Sequence, residues 1–224
     1  MEDNQHHPDR KDFQIDRMIL FTDAVFAIAI TLLVIDIKVP ELALKANEQD
    51  FWMAMLTLLP KFVGFIVSFF FIGLYWFLHH KLFGYVINYT NKLIWLNIIF
   101  LFSIVLIPFS TSVYSEFSTD EHIHLVGPYM VYVINICFTG IMQYLLLRYV
   151  YDPKNKVATH LPDKYTQISS LRRALMIPII FFISLLITFI WPEYGRAFLF
   201  TIPFFTRLFR PKKASVHHKK REQV

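Results

Sequence analysis

Arg17, Asp23 and Asp36 stand in one otherwise apolar run, from Arg17 to Lys38. A charged side chain inside such a run is expensive in hydrocarbon, so it either holds helices together or acts on a passing ion or proton. Arg17 and Asp23 are six positions apart, about 240° round a helix at about 100° per residue, and are poor partners for each other. Each therefore needs a polar group on another element. The candidates are Trp76, His79 and His80 near the end of a second apolar run, and Asn91 and Asn97 at the start of a third. These residues predict a buried polar cluster at the inner ends of the first three helices. Two roles stay open for it: locking the helices together, or sensing protons, because imidazole titrates near neutral pH.

Other chemistry is poorly supported. Adjacent histidines on a helix diverge by about 100°, and neither His79–His80 nor the His122 and His124 pair has a Cys or carboxylate at ligand spacing. No metal site and no cofactor are expected from these residues. Cys137, the single cysteine, lies in an apolar run and reads as an inert core thiol. There is no G-x-S-x-G, H-E-x-x-H, Walker loop or GxGxxG, so an enzyme is not expected. A second feature of the first run is the stripe Ile28, Leu32 and Ile35, spaced four and three, with Thr31 beside it. On composition alone such a stripe belongs to a core or meets lipid.

The elements that carry these residues are apolar segments of membrane-spanning length. A bilayer helix needs about 20 mainly apolar residues. Candidates are Arg17–Lys38, Phe62–Leu78, Leu93–Val113, Leu125–Leu147, Ala174–Trp191 and the short Ala197–Phe209. The chain has 224 residues, of which 55% are hydrophobic and only 17% charged. A soluble fold of this size would have to expose much of that apolar surface. The expected class is all-α: a polytopic membrane protein with six transmembrane helices, flanked by a tail at 1–16 and a basic tail at 210–224. The segment Val113–Leu125 carries acids but no Lys or Arg. The connection with Arg148, Lys154, Lys156, Lys164, Arg172 and Arg173 is basic, as is the final tail. The excess of basic loops on one side places both termini in the cytoplasm. The net charge of +5 then fits anionic lipid rather than nucleic acid. No repeat at a period of 20–50 residues is visible, so a pore would need several chains.

The run Arg17-Met-Ile-Leu-Phe-Thr-Asp23, continuing through Ala-Val-Phe-Ala-Ile-Ala-Ile-Thr-Leu-Leu-Val-Ile to Asp36, resembles the signature of the transmembrane protein 175 family. That family's first helix begins R-x-x-x-F-S-D. Arg17, Phe21 and Asp23 match, and Thr22 stands where Ser is usual, keeping the hydroxyl. The stretch from Tyr75 to His80 and the Trp95-Leu-Asn97 triplet are also similar. The resemblance implies a potassium-permeable channel without the Thr-Val-Gly-Tyr-Gly filter, whose first helices line the pore. A chain with one six-helix unit would then be a prokaryotic-type homotetramer. Carried over by position, the narrowest layer falls on Ile28, with Leu32 and Ile35 above it. The pore-side hydroxyl falls on Thr31. The polar network falls on Arg17, Asp23, Trp76, Asn97 and one of His79 and His80.

The implied function is a potassium channel of the cell membrane whose partners are potassium ions, lipids and copies of itself. Four Ile28 side chains round an axis would make a ring that gates by dewetting. The competing reading is a proton-coupled secondary transporter using Asp23 and the histidines. Transporters usually show internal repeats and broken helices, and neither is evident here.

Overall fold

The structure, a computed structural model, describes residues 11–118, 122, 124–191 and 195. Six α-helices follow one another: α1 (Lys11–Ile35), α2 (Glu48–Leu56), α3 (Leu59–Phe83), α4 (Asn91–Glu116), α5 (Gly127–Tyr151) and α6 (Lys164–Ile190), with a 3-10 turn at Pro153–Asn155. Among the described residues there is no strand beyond an isolated antiparallel bridge between Val86 and Ala158. That bridge ties the α3–α4 connection to the basic α5–α6 connection, so both close the same end of the bundle.

Five helices, all except α2, are long and apolar enough to cross a membrane. They run from 25 to 27 residues, about 37–40 Å at about 1.5 Å per residue, more than the roughly 30 Å of hydrocarbon. The protein is a multi-pass membrane protein on that account. The sixth expected span, Ala197–Phe209, lies outside the described residues. The others are longer than their apolar runs. α1 starts at Lys11, and α6 starts at Lys164, ten residues before Ala174, which brings Arg172 and Arg173 into the helix. Backbone hydrogen bonding continues past the apolar boundary because polar side chains at a helix end cost nothing in headgroups or water.

The chain's own caps fix these ends. Thr90 accepts from the Leu93 amide at the start of α4, and Asp163 accepts from the Thr166 amide at the start of α6. Pro60 and Pro128 occupy the first turns of α3 and α5, where a missing N–H is free of cost. Pro108 and Pro178 lie inside α4 and α6, as bilayer helices tolerate.

α4 and α5 pack most extensively, α6 covers α5, and α1 lies against α3 and α4. The shared core includes Phe26, Ile72, Phe100, Ile104, Tyr129 and Phe181, each at most 1% exposed. The outer surface keeps large apolar side chains in the open, among them Phe70 (69%), Phe102 (58%), Phe109 (61%) and Phe189 (60%). Only a bilayer accommodates such a belt.

Candidate functional site

Three helices meet near the middle of α1. Asn97 of α4 stands between two partners: its Nδ2 donates to Thr22 Oγ1 at 2.9 Å, and its Oδ1 faces His79 Nε2 at 2.8 Å. An acceptor oxygen opposite Nε2 puts a proton on that nitrogen. Thr22 then donates to the Met18 carbonyl at 2.9 Å, so the chain of donors runs one way from α3 through α4 to α1. Thr22 is fully buried, and Asn97 and His79 are 1% and 2% exposed. His79 is clamped between rings, stacked on Phe83 at 4.0 Å and parallel to Phe100 at 5.6 Å. Beside this chain, Trp76 Nε1 donates to Asp23 Oδ1 at 2.9 Å, joining α3 to α1 a second time. His80 is exposed and stacks on the Trp76 ring at 5.6 Å.

Thr22, Asp23, Trp76, His79 and Asn97 are therefore brought together. Of the two histidines, His79 makes the hydrogen bond to Asn97. Arg17 and Asn91 stay apart: the Arg17 guanidinium lies 5.9 Å from the Phe13 ring, and Asn91 is an exposed first residue of α4. Among the described residues, no three His, Cys, Asp or Glu side chains are placed to hold a metal ion.

The opposite face of α1 is open. Ile15, Thr22, Phe26, Ala29 and Leu33 are buried, and their spacing of seven, four, three and four marks the face packed on α3 and α4. Arg17, Phe21, Ala24, Ile28, Thr31 and Ile35 recur at four, three, four, three and four, and all are exposed. Phe21 is 58%, Ile28 57%, Leu32 39% and Ile35 70% accessible. Such spacing makes a straight seam that suits parallel packing round an axis. Thr31 Oγ1 shares its single proton between the Ala27 carbonyl (3.1 Å) and the Ile28 carbonyl (2.9 Å). Its lone pairs are left facing outward. At the far end of α1, Asp36 lines a shallow, open cleft with Lys61, Pro108, Ser112 and Ser115.

Sequence reasoning missed a second polar seam. Ser68 Oγ lies 2.7 Å from Thr111 Oγ1 and 3.2 Å from the Tyr132 hydroxyl, and Asn135 Nδ2 donates to Ser110 at 3.0 Å. These bonds lock α3, α4 and α5 in register. The signal was present as hydroxyls and amides at helical spacing: Ser103, Ser110 and Thr111 on α4; Asn135, Thr139 and Gln143 on α5.

Residues 17–108, which carry the whole network and the open stripe, match the model of the family described as "Endosomal/lysosomal potassium channel TMEM175". Over residues 17–108 the chain is similar to the TMEM175 family. This is a family of ion channels, not enzymes. A potassium channel of Streptomyces collinus is 36% identical over 105 residues, 47% of this chain and 50% of that protein. The chain thus matches about half the length of that relative. The endosomal/lysosomal proton channel TMEM175 of Gallus gallus is 33% identical over 138 residues, 58% of this chain and 27% of the relative. The crystal structure of a lysosomal potassium-selective channel TMEM175 homolog from Chamaesiphon minutus superposes with a TM-score of 0.71, covering 87% of this chain and 97% of that one, at 23% identity. That likeness establishes the TMEM175 fold for the bundle from α1 to α6.

Proposed function

We propose that copies of this chain assemble round an axis lined by α1 and conduct potassium across the cell membrane. One observation carries the reading: α1 buries a full face against its own bundle and still leaves Phe21, Ile28 and Ile35 more than half exposed on a seam spaced for self-association. The bacterial relatives, named as potassium channels, support potassium as the ion.

Ile28 forms the constriction, with Leu32 and Ile35 as further layers. A closed ring of such side chains holds no continuous water and blocks ions by dewetting. Opening requires the α1 helices to separate, and the Thr22–Asn97–His79 and Asp23–Trp76 bonds set how firmly each α1 is held to its own subunit. Thr31 presents acceptor lone pairs to the path, which suits a partly dehydrated cation and not an anion. The sequence has no Thr-Val-Gly-Tyr-Gly, so selectivity arises from bore and partial dehydration rather than a carbonyl cage. The assembly is a homotetramer, and both termini face the cytoplasm by the charge of the connection from Arg148 to Arg173.

Purified protein in liposomes tests the reading. Ile28→Asn wets the ring and is expected to raise potassium flux severalfold with the oligomer intact on size-exclusion chromatography. Unchanged flux from an intact oligomer removes Ile28 from the constriction. The Gallus gallus relative, named a proton channel, favours proton permeation as a second reading. Reversal potentials measured under separate potassium and proton gradients separate the two. Flux that saturates and stops without a proton gradient would replace both by a coupled transporter.

A further inference from the structure

α2 is a well-made helix that packs extensively on no other element among the described residues. Asn47 and Asp50 form a reciprocal capping box, at 3.0 Å and 2.9 Å, so its first turn is satisfied without outside help. None of its nine residues is buried. Phe51 is 37% exposed, Trp52 61%, Met53 60% and Leu56 56%. At about 100° per residue, Phe51, Trp52, Met55 and Leu56 fall within about 140° of arc, with Glu48 of the first turn on that arc and Gln49 at its edge, and Asp50 and Thr57 lie on the other side.

The helix is also fixed in depth. Only Thr57 and Leu58 separate it from α3, and Lys61 in the first turn of α3 pairs with Glu116 at the end of α4 at 2.6 Å. A charge pair of this kind marks the edge of the hydrocarbon. Standing upright on α3, α2 would carry Trp52 about 13 Å beyond Lys61, at about 1.5 Å per residue. The headgroup layer is only about 6 Å thick on each side, so the apolar residues of α2 would stand in water. The junction permits a bend: Pro60 has no N–H, and the backbone ladder crosses only through Thr57 to Met53, Leu58 to Met55 and Phe62 to Leu58.

We infer that α2 lies in the headgroup layer of the bilayer, with Phe51, Trp52, Met55 and Leu56 sunk among the upper acyl chains as a depth anchor for the ends of α1 and α3. This surface continues the exposed apolar face of α3 at Leu59, Phe62 and Val63. Tryptophan is enriched at that level of membrane proteins. The segment 38–61 holds three basic residues (Lys38, Lys45, Lys61) and three acidic ones (Glu41, Glu48, Asp50). Its attachment is therefore apolar, and zwitterionic lipid is sufficient.

The test uses the full-length protein with Cys137→Ser, reconstituted in phosphatidylcholine vesicles and carrying one nitroxide label. Labels at Trp52→Cys and Leu56→Cys are expected to collide more with oxygen than with a water-soluble nickel chelate. The order is expected to reverse at Thr57→Cys, on the other side. Phe51→Cys and Met55→Cys repeat the reading, since one label can disturb a nine-residue helix. Low collision with both reagents across the apolar face means a second copy covers it, and preference for nickel means water does; either overturns the inference. Adding phosphatidylglycerol should leave the pattern unchanged, and insertion that needs the anionic lipid also overturns it.

Discussion

Asn97 is the residue on which three helices depend, because it answers a donor on α3 and an acceptor on α1 with one planar amide. Asn97→Leu keeps the volume but strands His79 Nε2 and the Thr22 lone pair, and each stranded buried group costs about 1–3 kcal/mol. Within a membrane the measured worth of such bonds is smaller, about 0.6–1.7 kcal/mol. We expect a loss of roughly 1–2 kcal/mol in unfolding from detergent micelles, with most of it recovered when His79→Leu is added. A double variant no more stable than Asn97→Leu alone would mean that the pair is not coupled. Asp163 offers a pH test outside the membrane. The Thr166 hydroxyl at 2.7 Å, then its amide at 3.0 Å, hold the Asp163 carboxyl below its usual pKa. A depressed pKa means the folded state binds the proton less readily than the unfolded one. The cap's contribution is thus present above the ordinary carboxylate pKa and is lost as pH falls through the lowered value. Amide exchange in the first turn of α6 should speed up below about pH 4 relative to mid-helix amides. Asp163→Asn should abolish that difference, and a persistent difference would assign it to another group.

Among the elements, α5 and α6 approach each other at one glycine. A Cβ on Gly140 would sit 2.7 Å from Pro178 Cδ and 3.3 Å from the Ala174 carbonyl oxygen. The proline ring is rigid and the carbonyl belongs to backbone, so neither can give way. Gly140→Ala should cost about 1–3 kcal/mol as overpacking in thermal unfolding, whereas Gly73→Ala, with nothing within 4 Å of the added carbon, should be nearly neutral. Equal effects at the two positions would show that helix propensity, not close approach, dominates. The spans themselves were legible in the sequence, because about 20 apolar residues have few uses other than crossing a bilayer. α2 was not: nine residues are too short for that rule, and the segment from Lys38 to Lys61 reads as a loop unless the Asn47 and Asp50 capping pair is weighed. The polar cluster was legible as a set of residue types, since charges in hydrocarbon demand partners. The absence of Arg17 from it was not, because position along a helix does not fix where a long side chain turns. Nor did the sequence say which face of α1 is open. α1 is apolar all round, so its periodicity is the same whether Phe26 or Ile28 meets the core, and only the packing of α3 and α4 on Phe26 and Leu33 decides it.

At the scale of the whole molecule, the chain is a bundle with two unlike ends and one unburied helix, α2. The end bearing Lys61, Glu116 and α2 carries mixed charge, and the end bearing Arg148, Lys154, Lys156 and Lys164 is basic. That asymmetry orients every copy alike in the membrane, so the same helix of neighbouring copies runs parallel. α1 suits this, since its free seam of Phe21, Ile28 and Ile35 repeats at heptad spacing opposite the face packed on α3 and α4. Oxidative cross-linking in a Cys137→Ser background discriminates the possible interfaces. If α1 faces the axis, Ile35→Cys, from a residue 70% exposed on the seam, should give disulfide-linked pairs of chains. Leu33→Cys, on the same helix but only 4% exposed, should give none, and Val63→Cys on the outer face of α3 should give few. Potassium flux and cross-linking then have to agree: trapping the seam at position 35 should hold the path closed, and reduction should restore the flux. Strong linking at position 63 without linking at position 35 would put α3 at the subunit interface and leave α1 facing lipid.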